Sequence, residues 1–350
     1  MAKKTKAAVP AEEAAAREAF PQDWSDLRGH AGIIRRLRVL AAAERLPHAL
    51  LFTGMEGVGK RRTARVLART LLCAQAGDAP CGHCDSCRTM AAGVHPDYFE
   101  TAPEARGKGP AMIRTEAVRD ILIAASGAPV AAARRIILID GAERMNETAA
   151  NRLLKTLEEP EGNALFILVT SAYEAILPTI RSRAVRIAFG ALSHRAIEAA
   201  LRERSAADAA AIAALADGSL GRAYALAAEG LGLRDDALTL LTELPRLRME
   251  DIWAHAEALG ARTQEERTAW LGYLQMGLRD LLLLLEDGAA KRLFHIDRRA
   301  DLAALLPRMT RPQLFDLLHE SRELLQRFGA NVNPALQVEA FLIRARKQFI

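Results

Sequence analysis

A short apolar run that ends in a glycine-rich turn and continues as a helix constrains the fold most strongly. Ala49–Phe52 has the composition of a buried strand and ends at Thr53 and Gly54, whereas Arg62–Leu72 carries the apolar spacing of a helix. Between them lies GMEGVGK, residues 54–60. A strand, a glycine-rich turn and a helix in this order are typical of a phosphate-binding loop. The segment therefore predicts an α/β fold with a parallel sheet covered by helices.

Two further apolar runs support this fold class. Ile136–Ile139 is closed by Asp140, and Leu165–Val169 is closed by Thr170 and Ser171. Between these runs, residues 148–157 have helical spacing. Because ligands of parallel sheets bind at the carboxyl ends of the strands, the polar residues that close the three strands should lie along one edge.

The glycine-rich turn has most of the chemistry of a nucleotide site. Gly54, Gly57 and Gly59 would let backbone N–H groups turn towards phosphate oxygens, and Lys60 would reach the outer phosphates. The Ser or Thr that should bind magnesium is replaced by Arg61, which has no lone pair to offer a metal. A glycine-rich turn that binds no nucleotide therefore stays open as an alternative.

The second apolar run has a similar gap. Asp140 suits an aspartate that holds magnesium, but Gly141 stands where a water-orienting glutamate usually follows. Glu143 is interpreted as a solvated residue at the start of a helix. Since general-base groups contribute about 100- to 10,000-fold in rate, we expect ATP hydrolysis by this chain to be weak or absent. Because Arg61 also replaces the magnesium-binding hydroxyl, the sequence does not favour binding of ATP and magnesium.

All four cysteines fall within fifteen residues, with the spacing C-x7-C-x2-C-x2-C. The cluster consists of Cys73, Cys81, Cys84 and Cys87. Four thiolates at this spacing fill the closed tetrahedral shell of structural zinc. His83 or His95 could replace one thiolate, and an iron–sulfur cluster or metal-free thiols are alternatives.

The pattern changes after about residue 190, where strand signals end and amphipathic helices follow. We predict a flexible tail over 1–20, an α/β domain over 21–190 with a zinc module at 73–98, a small helical domain over 191–232 and a larger one over 233–350. The longest leucine run, Leu281–Leu285, is too short to span a membrane. The first twenty residues lack an apolar signal region, so a reducing, cytoplasmic location is expected.

The sequence resembles the clamp-loader subunits of the bacterial replicative polymerase, in the AAA+ ATPase superfamily. The resemblance covers roughly residues 21–230 and is weaker beyond, with NPALQVEAFLIR the best match there. The motifs that carry it are GMEGVGK (54–60), CGHCDSC (81–87), HPDY (95–98), IILIDGAERM (136–145), NRLLKTLEEP (151–160), LVTS (168–171) and RSR (181–183).

This resemblance implies an AAA+ domain with a zinc insert, a small helical lid and a C-terminal helical collar. Within the family, the gamma/tau motor type has a complete phosphate loop, whereas another type has degraded ATPase elements; Arg61 and Gly141 favour the latter. Taken alone, Arg183 would be read as a solvated surface residue.

The resemblance also implies roles for individual residues. Arg183, preceded by Ser182, would be an arginine finger offered in trans, although Ala184 replaces the usual cysteine. Thr170 or Ser171 would be the first sensor residue. Arg222 falls in the second sensor region, where a salt bridge on a helix surface is the alternative.

The implied partners are the gamma/tau and delta subunits, with the sliding clamp and primed DNA reached through the complex. Two other functions remain as hypotheses. One is an ATP-hydrolysing motor subunit or related AAA+ ATPase, which would hydrolyse ATP as a purified chain. The other is a zinc-stapled DNA-binding protein without motor partners; the net charge of +5 permits it, but no basic cluster interleaved with aromatics supports it.

Overall fold

A five-stranded parallel sheet organises the first part of the chain, with the strand order β2-β3-β4-β1-β5. The strands are β1 (Ala49–Thr53), β2 (Tyr98–Thr101), β3 (Arg135–Asp140), β4 (Ala164–Thr170) and β5 (Val185–Ala188). The α/β fold class expected from the sequence is confirmed.

The computed structural model describes residues 20–75, 77–105, 110–158, 162–290, 292–328 and 333–349. The chain divides into two compact units, the first ending at Leu192 and the second beginning at Ser193. All of the predicted tail except Phe20 lies outside the described residues, as do Glu159 and Pro160 of the NRLLKTLEEP motif.

Helices cover both faces of the sheet. In the first unit they are α1 (Ala31–Ala42), α2 (Lys60–Leu72), α3 (Asp85–Ala91), α4 (Thr115–Ser126), α5 (Glu147–Glu158) and α6 (Pro178–Arg181). Phe52 of β1 packs in one apolar cluster with Leu67 of α2. Leu51, which directly precedes Phe52 in β1, packs in a second cluster with Leu153 of α5. Because successive strand residues point to opposite faces, α2 and α5 lie on opposite faces of the sheet.

The register brings the polar strand ends together. Thr53 at the end of β1 pairs with Thr170 at the end of β4, and Asp140 at the end of β3 pairs with Val169. These ends therefore lie along one edge of the sheet, as the sequence predicted.

The two strands that the sequence analysis missed, β2 and β5, are the two outer strands of the sheet. β2 is only half-buried along its length, and β5 buries Ile187 alone. An outer strand with one exposed side needs no continuous apolar run, so its pattern is harder to detect than that of β1, β3 or β4.

The second unit is helical, and no strand follows Ala188 in the part of the chain that the structure describes. Its helices are α7 (His194–Glu203), α8 (Ala209–Leu215), α9 (Leu220–Glu229), α10 (Gly232–Glu243), α11 (Met249–Gly260), α12 (Gln264–Glu286), α13 (Arg299–Ala303), α14 (Arg311–Arg327) and α15 (Pro334–Lys347). α10–α15 share one apolar core that includes Leu241, Leu278 and Phe341. Among the described residues, no helix combines the length and the apolar character needed to cross a membrane. The finer division into lid and collar stays a prediction.

Candidate functional site

Lys60 is the first residue of α2, and its ammonium group is held by the glycine-rich turn. It donates to the carbonyl oxygens of Gly54 and Met55 at 2.6 and 2.7 Å, and the residue is only 6% exposed. Gly59, directly before the helix, has φ +101°, which favours glycine. Burial lowers the pKa of Lys60. The turn thus has the shape of a phosphate loop, while its lysine is engaged by the loop itself.

Arg61 lies where a magnesium-binding hydroxyl was expected, and it joins two carboxylates. Its Nη2 is 2.6 Å from Glu100 Oε1 on β2, and its Nε is 3.6 Å from Asp140 Oδ2 on β3. A guanidinium stays charged in proteins and offers no lone pair. The aspartate expected to hold magnesium therefore faces a permanent cation that belongs to the chain.

Glu100 is the centre of this cluster. Its carboxylate also accepts hydrogen bonds from Arg65 at 2.9 and 3.0 Å and from the Tyr98 hydroxyl at 2.6 Å. Burial raises the pKa of Glu100, but the hydrogen bond from Arg65 and the charge of Arg61 outweigh burial and lower it. For Asp140, burial is the largest effect and leaves the pKa raised despite the charge of Arg61.

Gly141 has a left-handed backbone, with φ +69° and ψ +43°. A Cβ at this position would lie 2.8 Å from Cγ of Pro103, closer than real Cβ contacts. A glutamate placed here would therefore strain the backbone and displace Pro103. The backbone at Gly141 therefore disfavours the water-orienting glutamate that the sequence lacks at this position.

Glu143 is not the solvated residue that the sequence analysis expected. It is half-buried, and its Oε1 accepts hydrogen bonds from the Ser171 hydroxyl at 2.6 Å and from the Ser171 N–H at 3.2 Å. Burial raises the pKa of Glu143, but the bonds from Ser171 and Thr170 outweigh it and lower the pKa. Glu143 thus connects the turn after β3 to the end of β4, where the sensor residue was expected.

The four cysteines converge, as their spacing predicted. Cys73 ends α2, Cys84 caps α3 and Cys87 lies within α3. All four Sγ atoms lie within 4.8 Å of one another, and the Cys73–Cys84 and Cys81–Cys87 pairs are 3.9 and 4.0 Å apart. Zinc–sulfur bonds of about 2.3 Å in a tetrahedron place sulfurs about 3.8 Å apart, so the cluster fits a metal ion.

The surroundings of the cluster also suit bound thiolates. The N–H groups of Cys81 and Cys87 donate to the sulfurs of Cys73 and Cys84. The pKa of the Cys87 thiol is raised to about 12, chiefly by burial. A hydrogen bond with Arg69, which is itself almost fully buried, has a smaller effect in the opposite direction. A buried arginine beside Cys87 would offset part of the negative charge of metal-bound thiolates.

Arg183 lies on the opposite face of the sheet from the phosphate-loop helix. It is flanked by Ile180 and Ala184, which pack in the cluster that contains Leu51 and not in the cluster of α2. Its Nη1 donates to Thr179 O at 3.0 Å and to the Ser182 hydroxyl at 3.1 Å.

The second terminal nitrogen of Arg183 forms an ion pair. Nη2 lies 2.7 Å from Glu158 Oε1, and the two side chains are 36% and 48% exposed. Ser182 in turn donates to Thr179 O. Arg183 is therefore a half-exposed surface residue that does not belong to the phosphate loop of its own chain.

The two sensor candidates differ in their surroundings. Thr170 is buried at the end of β4, and its hydroxyl accepts a hydrogen bond from the N–H of Ala172. Arg222 lies on α9 in the second unit, is exposed, and contacts the sulfur of Met276 at 4.0 Å. A sensor role for either residue stays a prediction.

Parts of the chain match known proteins. Residues 29–193 match the family model described as DNA polymerase III, delta subunit. A DNA polymerase III subunit delta' from Pseudomonas aeruginosa is 36% identical over 212 residues, which are 59% of this chain and 63% of the relative. A delta' subunit from Escherichia coli is 39% identical over 137 residues, covering 39% of this chain and 40% of the relative.

These matches support a clamp-loader subunit of the delta-prime type. The gamma/tau subunit of Mycobacterium tuberculosis is also similar, at 35% identity over 186 residues, which are 53% of this chain and 32% of that subunit. The chain thus spans less than two thirds of each of these relatives. The resemblance to the clamp-loader family inferred from the sequence is confirmed.

Glu100 and its partner Arg65 were not predicted from the sequence as part of this site. Glu100 lies on an outer strand and belongs to no motif. A usable signal was present on α2, where Arg61, Arg65 and Arg69 recur every four residues on a helix that is otherwise apolar on that side. Three cations on one helix face require acceptors, and a buried acid on a neighbouring strand is the simplest one.

Proposed function

We propose that the chain is a delta-prime-type subunit of the DNA polymerase III clamp loader that hydrolyses little or no ATP itself. In this role it contributes Arg183 to nucleotide bound by a neighbouring gamma/tau motor subunit. Its partners are the gamma/tau and delta subunits, and through the complex it takes part in loading the sliding clamp onto primed DNA.

One observation carries this proposal: Arg61 and Arg183 lie at opposite faces of the sheet. Arg61 stands beside Asp140 at the phosphate loop, whereas Arg183 is half-exposed on the other face. A guanidinium that cannot serve its own loop can serve a loop on another subunit. The relatives from Pseudomonas aeruginosa and Escherichia coli are named delta' subunits, which supports the delta-prime type but does not bear on the role of Arg183.

The test is the ATPase activity of a complex reassembled with gamma/tau and delta subunits. Arg183→Ala should reduce DNA-stimulated hydrolysis, because an arginine finger is worth about 10³–10⁵ in rate at the site it serves. Arg181→Ala is the matched control, since Arg181 lies two residues earlier and pairs with Glu174 on the surface. An Arg183→Ala complex that assembles and hydrolyses ATP at the unchanged rate would refute the finger.

A motor subunit is the second candidate, favoured by the intact GMEGVGK turn and by the similarity to gamma/tau. It requires magnesium-dependent hydrolysis by the purified chain. The position of Arg61 beside Asp140 and the backbone of Gly141 argue against it. Measurable turnover by the purified chain, abolished by Lys60→Ala, would favour the motor assignment.

We also propose that the four cysteines hold one structural zinc ion. With all four ligand positions supplied by thiolates, the ion would have no open position for chemistry and would instead fix the segment between α2 and α3. Metal analysis should find one zinc per chain, and Cys84→Ser should lower this content and the thermal stability. Iron or no metal in the purified chain would contradict the assignment.

A further inference from the structure

The phosphate loop contains residues suited to magnesium nucleotide, yet their arrangement does not fit it. We propose that the guanidinium of Arg61 replaces the divalent cation at this loop, so that Glu100 and Asp140 are neutralised from within and the loop is closed to magnesium nucleotides. This inference rests on the proposed function, in which the chain's own ATP site is inactive, and assigns that inactivity to one side chain.

The charge of Arg61 lies beside the carboxylates that would hold magnesium. Magnesium in nucleotide sites is usually held by one or two carboxylates together with the phosphates. Here two carboxylates from neighbouring strands, Glu100 and Asp140, both face the guanidinium of Arg61, at 2.6 and 3.6 Å. A divalent ion at these oxygens would be repelled by a cation that cannot lose its proton.

The lysine of the phosphate loop is already engaged in hydrogen bonds within the chain. Two of the three donors of Lys60 are used by the carbonyls of Gly54 and Met55. The loop therefore satisfies its own lysine while Arg61 satisfies the acids. Each charged group that would meet a magnesium nucleotide already has a partner within the chain.

Arg61 can be removed without leaving Glu100 unpaired. Glu100 keeps two hydrogen bonds from Arg65 and one from Tyr98 when Arg61 is lost. Asp140 loses only a cation 3.6 Å away. Arg61→Thr should therefore fold, and its hydroxyl would supply the missing oxygen ligand next to Lys60.

The experiment measures binding of a fluorescent ATP analogue to the full-length chain, with magnesium and with EDTA. For the wild-type chain, magnesium should not tighten binding. For Arg61→Thr, magnesium should tighten it by about tenfold or more, since the metal can then bridge phosphate and carboxylate. Adding Asp140→Asn to Arg61→Thr should abolish the gain.

Arg62→Thr is the matched control, because it removes the same charge one residue further along α2, about 100° around the helix. It should behave as the wild type. Circular dichroism and metal content establish that each variant is folded, and Arg61→Gln serves in the same assay if the threonine variant is not.

A wild-type chain that binds magnesium ATP about tenfold more tightly than metal-free ATP would overturn the proposal. A folded Arg61→Thr chain with no magnesium effect would overturn it as well. Neither result bears on Arg183, whose test uses the assembled complex, so failure here is distinguishable from failure of the proposed function.

Discussion

Two arginine–carboxylate pairs in the first unit have the same chemistry but different settings. Arg61 pairs with Glu100, which is 14% exposed and also receives hydrogen bonds from Arg65 and Tyr98. Arg183 pairs with Glu158, which is 48% exposed and lies at the end of α5. An arginine is less available when its acid partner is more deeply buried and accepts hydrogen bonds from more donors. The distance within the ion pair does not reveal this difference.

The largest expected effect is on Glu100. Replacing it by Gln should destabilise the chain by about 3 kcal/mol, because removing one member of a buried charged cluster leaves the others without compensation. Denaturation by urea measures this cost. If Glu100→Gln lowers the free energy of unfolding no more than Glu158→Gln does under the same conditions, the two pairs do not differ in the way described.

The stabilising contribution of Glu100 should depend on pH. In the folded chain the pKa of Glu100 lies below its usual value of 4.5. Its stabilising contribution is therefore fully present above that value and is lost as the pH falls through the lower folded pKa. Urea midpoints measured between about pH 7 and pH 3 should show the wild type losing its advantage over Glu100→Gln in acid. A constant advantage across this range would contradict the assignment.

A side chain at Gly141, next to Asp140, should also lower the stability of the chain. Gly141→Ala should cost about 1–2 kcal/mol, since its left-handed φ and the nearby Pro103 both disfavour a Cβ. Gly190→Ala is a suitable control, because a Cβ at Gly190 meets nothing within 4 Å. Equal thermal stability of the two variants would show that the turn after β3 adapts to side chains.

The smallest effect is expected at the surface pair. Glu158→Gln should change the free energy of unfolding by less than about 1 kcal/mol, and high salt should remove the difference. Glu174→Gln, which breaks the neighbouring surface pair with Arg181, should behave alike. A cost at Glu158 that persists in high salt would mean that Arg183 is fixed more firmly than its exposure indicates.

Features formed by residues close together in the chain could be predicted from the sequence, whereas contacts between residues far apart in the chain could not. The strands β1, β3 and β4 carry continuous apolar runs, and the cysteines lie close together in the chain, so both were predicted. Glu100 is separated from Arg61 by 39 residues and meets it only because β2 lies next to β3 in the sheet. The ion pair between Glu158 and Arg183 likewise depends on folding and had no local signal.

The placement of Lys60 and Arg183 on opposite faces of the sheet has a consequence for symmetry. In a head-to-tail ring, each contact joins one face of a subunit to the other face of the next. With the proposed roles of Arg61 and Arg183, this chain would offer an arginine across one contact and no magnesium nucleotide across the other. In the role proposed above, such a subunit would break the rotational equivalence of the ring.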